Sequence, residues 1–236
     1  MVGLMGKESP VITVIIPMHQ PSHILPRIQT VLATACVPIQ TLIVLNNPTS
    51  DLQVSTQAPN EEVLFSSREG RGYAFLTGIA HAKGEVILLL HADTVPPVNW
   101  DRAILKALKN PQVVGGGFSL TYDQPKGYLT YGAHFIDLVF RVTGELYGDR
   151  GMFVRTQTLQ KCLNAMDVPL FEDVKLSKCM RSQGKIVMLK DKIIASTEEF
   201  LKHGMLGNIK RYVTCRLWYA FGATPQQLYQ AYYKKQ

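Results

Sequence analysis

The stretch EVILLLHADT, residues 85–94, is an apolar run that ends abruptly at an imidazole and a carboxylate. Aliphatic residues in unbroken succession are typical of a strand buried on both faces, as in a parallel sheet. In open α/β sheets, ligands bind in the crevice beyond the carboxyl ends of such strands. His91 and Asp93 are therefore candidate ligand-binding residues; a core strand followed by a solvated turn is the alternative.

Strands and helices alternate on either side of this stretch. Short β-branched and aliphatic runs predict strands, and apolar residues at helical spacing predict helices. In chain order the predicted elements of the first half are strand 11–17, helix 24–36, strands 41–45 and 62–65, helix 72–83 and strand 86–90. This alternation favours a mainly parallel sheet that is covered by helices on both faces.

The second half also contains elements of both kinds. They are helix 99–109, strand 113–122, helix 126–141, helix 169–184 and strand 185–189. Three glycines at 115–117 interrupt a predicted strand, which indicates either a bulge or a close approach of another group to the backbone. Glu172 and Asp173 would lie at the start of a helix, where the helix dipole favours negative charge, so a capping role is one explanation for them.

The composition is that of an ordinary globular protein. The chain has 236 residues, of which 46% are hydrophobic and 18% charged, enough for one sizeable core with an appendage. The formal net charge of +7 is compatible with nucleic acid, an anionic membrane surface or a phosphorylated substrate as partner. Because no RNA-recognition or zinc-finger pattern accompanies the basic residues, we expect no nucleic-acid partner.

The cysteines and the first residues bear on the cellular compartment. Cys36, Cys162, Cys179 and Cys215 lie far apart, without a C-x-x-C pair or a histidine at metal-ligand spacing. We therefore expect four buried or reduced thiols rather than a zinc site or a redox pair. Residues 1–10 lack the apolar segment of a secretory signal, and no later run approaches the length that spans a bilayer. These features predict a disordered segment at 1–10 and a cytoplasmic protein.

Five short motifs follow one another along the chain: VIIP at 14–17, HADT at 91–94, GGGF at 115–118, YGDRG at 147–151 and EDV at 172–174. In this order they resemble the family 2 glycosyltransferases. The resemblance is closest to a small bacterial subgroup described as radical-SAM/selenium-domain-associated transferases. In that subgroup His-Ala-Asp-Thr stands where other members have Asp-x-Asp.

The resemblance implies a GT-A fold, which is also called the nucleotide-diphospho-sugar transferase fold. This is an α/β fold with a mixed, mainly parallel sheet flanked by helices. A catalytic domain would span residues 11–200, with a nucleotide-binding half at about 11–95 and an acceptor-binding half at about 96–200. Residues 201–236 would add a C-terminal extension of amphipathic helices.

The resemblance also implies an activity: inverting transfer of a sugar from a nucleoside diphosphate donor to a hydroxyl acceptor. Asp173 would be the general base that deprotonates the acceptor, and Glu172 would orient it or hold an acceptor hydroxyl. Asp93 would bind a divalent cation, Mn²⁺ or Mg²⁺, on the donor diphosphate. His91 would bias the site toward Mn²⁺ as a second ligand, or would contact phosphate.

The remaining site residues divide between the donor and the acceptor. The resemblance implies donor contacts from Pro17, Asn46 and Arg71, and acceptor-side positions for Gly116, Gly117 and Asp149. A helix-start role is the alternative for Arg71, and a turn role is the alternative for Asp149. The acceptor itself is not identified, and a lipid-linked one is among the candidates.

Two departures from the family pattern favour a different function. Asn46 stands where the family usually has an Asp that binds the base or ribose, and residues 72–75 lack the usual polar pattern. These features favour a catalytically degenerate protein that binds nucleotide sugars without transferring them. The retention of Asp93 together with Glu172 and Asp173 favours the enzyme.

A basic amphipathic helix is predicted over residues 203–221. Its apolar positions are Leu206, Ile209, Val213, Leu217 and Ala220, and its basic ones are Lys210, Arg211 and Arg216. The apolar stripe would either pack on the catalytic domain, as most such stripes do, or lie on an anionic bilayer as a peripheral membrane contact.

Overall fold

Four parallel strands form the first half of a single sheet. The computed structural model describes residues 9–46, 54–124, 127–198 and 205–233. The four strands are β1 (Ile12–Met18), β2 (Ile39–Leu45), β3 (Glu61–Phe65) and β4 (Val86–Leu89). β1 pairs in parallel with both β2 and β4, and β2 pairs in parallel with β3. Their carboxyl ends therefore lie at one edge of the sheet.

The second half of the sheet mixes strand directions. It contains β5 (Thr94–Val95), β6 (Val113–Tyr122), β7 (Met152–Arg155) and β8 (Lys185–Ala195). β7 is antiparallel to β4 and β6, β8 is parallel to β6, and β5 is antiparallel to β8. In the described part of the chain the strand order is β3-β2-β1-β4-β7-β6-β8-β5, one continuous sheet, so the predicted mixed α/β architecture is confirmed.

Helices cover the sheet, and two further helices follow its last strand. They are α1 (Leu25–Leu32), α2 (Arg71–His81), α3 (Trp100–Leu108), α4 (Gly127–Thr143), α5 (Thr156–Lys161), α6 (Leu163–Met166), α7 (Glu172–Gln183), α8 (Met205–Ala220) and α9 (Pro225–Tyr233). A short 3₁₀ turn, Gly148–Arg150, precedes β7. No helix among the described residues is both long enough and apolar enough to cross a membrane.

The core lies on both faces of the sheet because side chains alternate along each strand. Ile12, Val14 and Ile16 of β1 pack in one apolar cluster with α1 and α3, whereas Ile15 packs in a second cluster with α2. A third, smaller cluster joins the C-terminal helices to the start of α7. The sheet is thus buried on both sides, as the unbroken apolar run of β4 predicts.

Two predicted elements end four or more residues away from the observed ends. The helix predicted to reach Cys36 ends at Leu32. The Cys36 backbone N–H instead donates a hydrogen bond to the Asp101 carboxylate at 2.6 Å, which holds the segment after the helix in place. The strand predicted to end at Leu189 continues to Ala195, because a register shift lets its second part pair with the end of β6.

The glycine run in β6 contains a bulge and also allows a close approach of the neighbouring strand, the two features that its glycines predict. A register shift lies between Val113 and Gly115, which is the bulge. A Cβ atom on Gly116 would lie 2.1 Å from the Val187 carbonyl oxygen, so the neighbouring strand needs a glycine there. Gly117 pairs with Met188 inside the same sheet.

Several predictions fall partly or wholly outside the described residues. Of the segment 1–10 that is predicted to be disordered, the structure describes only residues 9 and 10. Asn47 and Pro48, a pair of residues that favours a turn after β2, also lie outside the described residues. The domain boundaries near 11, 95 and 200 stay predictions.

One prediction about the cysteines was wrong. Cys162 and Cys179 form a disulfide, with their Cα atoms 5.8 Å apart, whereas Cys36 and Cys215 are free thiols. Cys162 follows α5 and Cys179 lies on α7, and the packing of these helices brings the two together. A separation of 17 residues carries no local signal, so the sequence alone could not indicate this pair.

We expect the disulfide to stabilise the fold by about 3 kcal/mol, the value for a closed loop of this length. Urea denaturation of the wild type with and without reductant, compared with the Cys162→Ala/Cys179→Ala variant, measures the effect. Reductant should have no effect on the double variant, and Cys36→Ala should behave as the wild type. An unchanged transition midpoint of the reduced wild type would contradict the expectation.

Candidate functional site

Predicted donor residues gather at the edge where the parallel strands end. Pro17 is the next-to-last residue of β1. Asn46 follows β2 directly and donates its backbone N–H to the Met18 carbonyl at 2.8 Å. His91 and Asp93 follow β4. A cavity of about 90 Å³ opens at this edge and is lined by Pro17, Met18, His19, Asn46, Arg71 and Tyr229.

Arg71 lies at the start of α2, where that helix meets the second half of the chain. Its backbone N–H donates to the Pro169 carbonyl at 3.1 Å. A Cβ atom on the neighbouring Gly72 would lie 2.1 Å from the Val168 carbonyl oxygen, so this close approach requires glycine. The arrangement directs the Arg71 side chain toward the acidic pair that begins α7.

The Arg71 guanidinium binds both members of this pair. Its Nε donates to Glu172 Oε1, and its Nη2 lies 3.7 Å from Asp173 Oδ2. Glu172 is only 1% exposed, and burial raises the pKa of its carboxyl, an effect that Arg71 partly opposes and Asp173 reinforces. Glu172 Oε2 is buried without a hydrogen-bond partner among the described residues.

Asp173 is held by two backbone donors. Its Oδ2 accepts the Gly148 N–H at 2.9 Å, and its Oδ1 accepts the Val174 N–H at 2.8 Å. These bonds fix the carboxylate in one orientation and leave lone pairs on both oxygens. Phe171, which precedes the pair, has a left-handed backbone with φ of 63°, a costly conformation for a large residue that the surrounding packing must maintain.

His91 packs against the 3₁₀ turn. A Cβ atom on Gly148 would lie 2.5 Å from His91 Nε2, so the turn covers this nitrogen, which has no hydrogen-bond partner among the described residues. The ring stacks on Phe75 with centroids 6.3 Å apart. Burial, and secondarily the charge of Arg71, lower the pKa of His91 well below its usual value, so the imidazole is neutral near pH 7.

Asp149 adds a further carboxyl to the site. Burial raises its pKa to about 6, Arg150 opposes the shift, and the nearby charges of Asp173 and Asp93 reinforce it. Asp149 Oδ1 is buried without a hydrogen-bond partner in the described part of the chain. These electrostatic interactions show that the fold brings Asp93, Asp149 and Asp173 within reach of one another.

The described residues do not form a closed metal site. Within these ranges no three His, Cys, Asp or Glu side chains converge in a way that would hold an ion. Mg²⁺ and its relatives, however, are commonly bound through one or two carboxylates together with substrate phosphates. Asp93, which is exposed at the end of β4, is suited to such a partial ligand set.

The site residues predicted from the sequence are thus placed unequally. Arg71, His91, Asp149 and the pair Glu172 and Asp173 meet directly or through Gly148, and Pro17 and Asn46 line the adjoining cavity. Asn46 Oδ1 accepts the Gly70 N–H at 3.1 Å, so this amide is engaged in shaping the loop before α2. Gly116 and Gly117 lie within the sheet, and their acceptor-side role stays a prediction.

Tyr229 is a cavity residue that the sequence reasoning missed. It lies on α9, far along the chain from the other lining residues, and no motif surrounds it. With Cys215 and Leu228 it packs against Leu170, Phe171 and Val174 at the start of α7. The aromatic character of the C-terminal segment was the one available signal.

Solved structures share this fold. The mannosyltransferase PcManGT from Pyrobaculum calidifontis, in complex with GDP-Man and Mn²⁺, matches with a TM-score of 0.61 at 16% identity over 88% of this chain. Residues 1–349 of TarS from S. aureus match with a TM-score of 0.59 at 15% identity over 85% of this chain. The chain spans 61% and 65% of the lengths of these two structures. At such low identity the likeness concerns the fold.

The sequence also matches a family directly. Residues 13–167 match the family described as Glycosyl transferase family 2, and this region holds β1 to β7 and the site residues as far as Asp149. The match does not extend to the narrower radical-SAM-associated subgroup. Because the match covers more than half of the chain, this protein belongs to glycosyl transferase family 2.

Proposed function

We propose that this protein transfers a sugar from a nucleoside diphosphate donor to a hydroxyl acceptor, with inversion and with a divalent cation. The observation that carries the proposal is the convergence of Arg71, Glu172 and Asp173 beside a cavity at the carboxyl ends of β1 and β2. Family membership supports the class of reaction, and the similar mannosyltransferase bound to GDP-Man and Mn²⁺ supports the class of donor.

Asp93 is the residue that would hold the cation, together with oxygens of the donor diphosphate. The ion would offset the negative charge that develops on the departing nucleoside diphosphate. His91 is neutral near pH 7, as a ligand must be, and an imidazole ligand would favour Mn²⁺ over Mg²⁺. Its Nε2 faces Gly148, so the ring would have to turn to bind through that atom.

Asp173 is suited to remove the proton of the acceptor. The acceptor oxygen would attack the anomeric carbon from the face opposite the departing diphosphate, while its proton passes to an Asp173 oxygen. The Gly148 and Val174 N–H groups hold that carboxylate in place. Glu172 would act through Arg71, whose position it fixes, and Asp149 would border the acceptor.

The alternative of a binding protein without transferase activity is favoured by one observation. Asn46, which replaces the usual acidic residue, already accepts a hydrogen bond from Gly70 and lacks a charge to bind the ribose. Such a protein would bind a nucleotide sugar without cleaving it, so no free nucleoside diphosphate would form. The two experiments that follow separate these functions.

Replacing Asp93 tests the donor and the metal together. Calorimetric titration with UDP-, GDP-, CDP- and dTDP-sugars, in Mn²⁺, Mg²⁺ or chelator, should reveal metal-dependent binding of one donor to the wild type. We expect Asp93→Ala to weaken this binding at least tenfold, about 1.4 kcal/mol, because the cation loses its protein ligand. Asp191→Ala, which removes an exposed carboxylate on β8, is the matched control. Binding that chelator leaves unchanged would refute metal use.

Replacing Asp173 tests catalysis. We expect Asp173→Asn to retain donor binding within about twofold and to slow release of nucleoside diphosphate by about 10² to 10⁴, the usual contribution of a general base. Asp191→Asn should react at the wild-type rate. Undiminished turnover in Asp173→Asn would remove the assigned base. A wild type that binds a donor without turnover, across sugar and lipid-linked acceptors, would favour the binding protein.

The raised pKa of Asp149 predicts a pH effect on stability. Because the folded-state pKa of about 6 exceeds that of the unfolded chain, the folded state binds more protons between these values, and stability falls as pH rises through 6. Asp149→Asn removes this loss. The difference in the free energy of unfolding between the variant and the wild type, measured by urea denaturation, should therefore change between pH 5 and pH 7. We expect it to shift by roughly 1 kcal/mol in favour of the variant. A difference independent of pH would contradict the assigned pKa shift.

A further inference from the structure

We infer that the outer face of α8 binds an anionic lipid surface. This face consists of Val213, Leu217 and the flanking Trp218 of the helix, with Lys210 among them, and of Phe221 directly after the helix; it is called the outer face below. The inference goes beyond the proposed function, because surface binding requires no catalysis. Four observations lead to it.

The inner face of the same helix is already used in packing. Cys215 is buried against Phe171 and Val174, and Tyr219 stacks on Phe171 with ring centroids 5.1 Å apart. The helix therefore packs on the rest of the protein through this face, which is the more common of the two roles predicted for its apolar stripe. Because residues 215 and 219 point inward, positions 213, 217 and 221 lie on the opposite side, and position 218 lies at the exposed flank beside them. The side chains of Leu206, Ile209 and Ala220 lie outside the described set.

The outer face exposes an unusual amount of apolar surface. Trp218 is 48% exposed and Phe221 is 86% exposed, and Val213 and Leu217 are also exposed. Large apolar side chains scattered singly on a surface need no explanation, whereas a contiguous set on one helix face marks an interaction site. Tryptophan is well suited to a bilayer interface, because its ring is apolar and its N–H group remains hydrated.

A second exposed stripe lies on a helix close by. Tyr131, Leu138 and Val142 of α4 are exposed and follow one another at the spacing of a single helix face. Arg216 of α8 donates to Glu145, just after α4, at 2.7 Å, which places the end of α4 near α8. A bilayer that covered both stripes would bury more apolar surface than the outer face alone offers.

The charge of the C-terminal segment indicates which partner binds the outer face. Residues 201–236 hold six of the 25 Lys and Arg residues and none of the 18 Asp and Glu residues, so they carry six of the seven net positive charges. A basic segment with exposed aliphatic and aromatic residues complements an anionic bilayer, which offers negative headgroups above an apolar interior. A nucleic acid would use the charge and leave the apolar residues uncovered.

The contact would lie close to the candidate active site. α8 packs on the residues that begin α7, and α9 supplies Tyr229 to the donor cavity. A lipid-linked hydroxyl acceptor could thus reach the site from the bilayer. This last step rests on the proposed function, whereas binding to vesicles can be measured without any donor or acceptor.

The experiment uses the full chain and vesicles of phosphatidylcholine alone or with phosphatidylglycerol. The sequence has two tryptophans, of which Trp100 is fully buried and Trp218 is exposed, so Trp218 reports on the outer face. Anionic vesicles should shift its emission to shorter wavelength and sediment the protein, and brominated lipid should quench it. Trp218→Phe should still sediment and lose the spectral change.

A matched pair of double variants tests the face itself. Leu217→Ser/Phe221→Ser keeps the reporter and should weaken sedimentation at least about tenfold, because each change removes an exposed apolar side chain that the bilayer would cover. Phe65→Ser/Val98→Ser removes exposed apolar residues elsewhere and should bind as the wild type. Lys210→Glu should weaken binding to anionic vesicles by a factor of several.

Several outcomes would overturn the inference. The first is that the protein fails to sediment with anionic vesicles at about 0.1 M salt. The second is that it binds neutral and anionic vesicles equally well, and the third is that both double variants lose vesicle binding to the same extent. A concentration-dependent dimer that Leu217→Ser/Phe221→Ser abolishes, in a chain that ignores vesicles, would assign the face to a second copy. Binding to a DNA or RNA duplex in place of vesicles would assign the charge to nucleic acid. Loss of catalysis with intact vesicle binding would affect only the proposed function.

Discussion

The ion pair between Arg71 and the acidic residues that begin α7 is the interaction on which the site depends. Glu172 is almost fully buried, and a carboxylate in that position needs an opposite charge and hydrogen bonds to remain ionised. Arg71 supplies both from the start of α2. Since α2 lies between β3 and β4 and α7 precedes β8, this pair fixes the distance between the predicted donor region and the proposed base.

Close backbone packing makes this pair possible. Gly72 lets the start of α2 approach the chain at Val168, and Gly148 lets the 3₁₀ turn lie on His91 while its N–H binds Asp173. A side chain at either glycine would separate the elements by more than these contacts allow. The two glycines therefore contribute to the electrostatics of the site, although neither carries a charge.

The sequence predicts most of the fold because strands and helices follow from local patterns. The apolar run at 86–90 indicates a doubly covered strand, and the polar residues after it lie beyond the carboxyl end of that strand. What it does not predict arises from distant contacts: the Cys162 disulfide, the engagement of Asn46 by Gly70, and the position of Tyr229 in the cavity at the strand ends. Each depends on elements that meet only after the sheet has formed.

The left-handed backbone at Phe171 has a consequence for biosynthesis. Its ring is stacked by Tyr219 and packed in one cluster with Cys215, Leu228 and Tyr229, all of which are translated after it. The residue that precedes the acidic helix is thus supported by a segment that leaves the ribosome after it. A nascent polypeptide can form the first strands early, but its acidic pair acquires this support only once residues 215–229 have been synthesised.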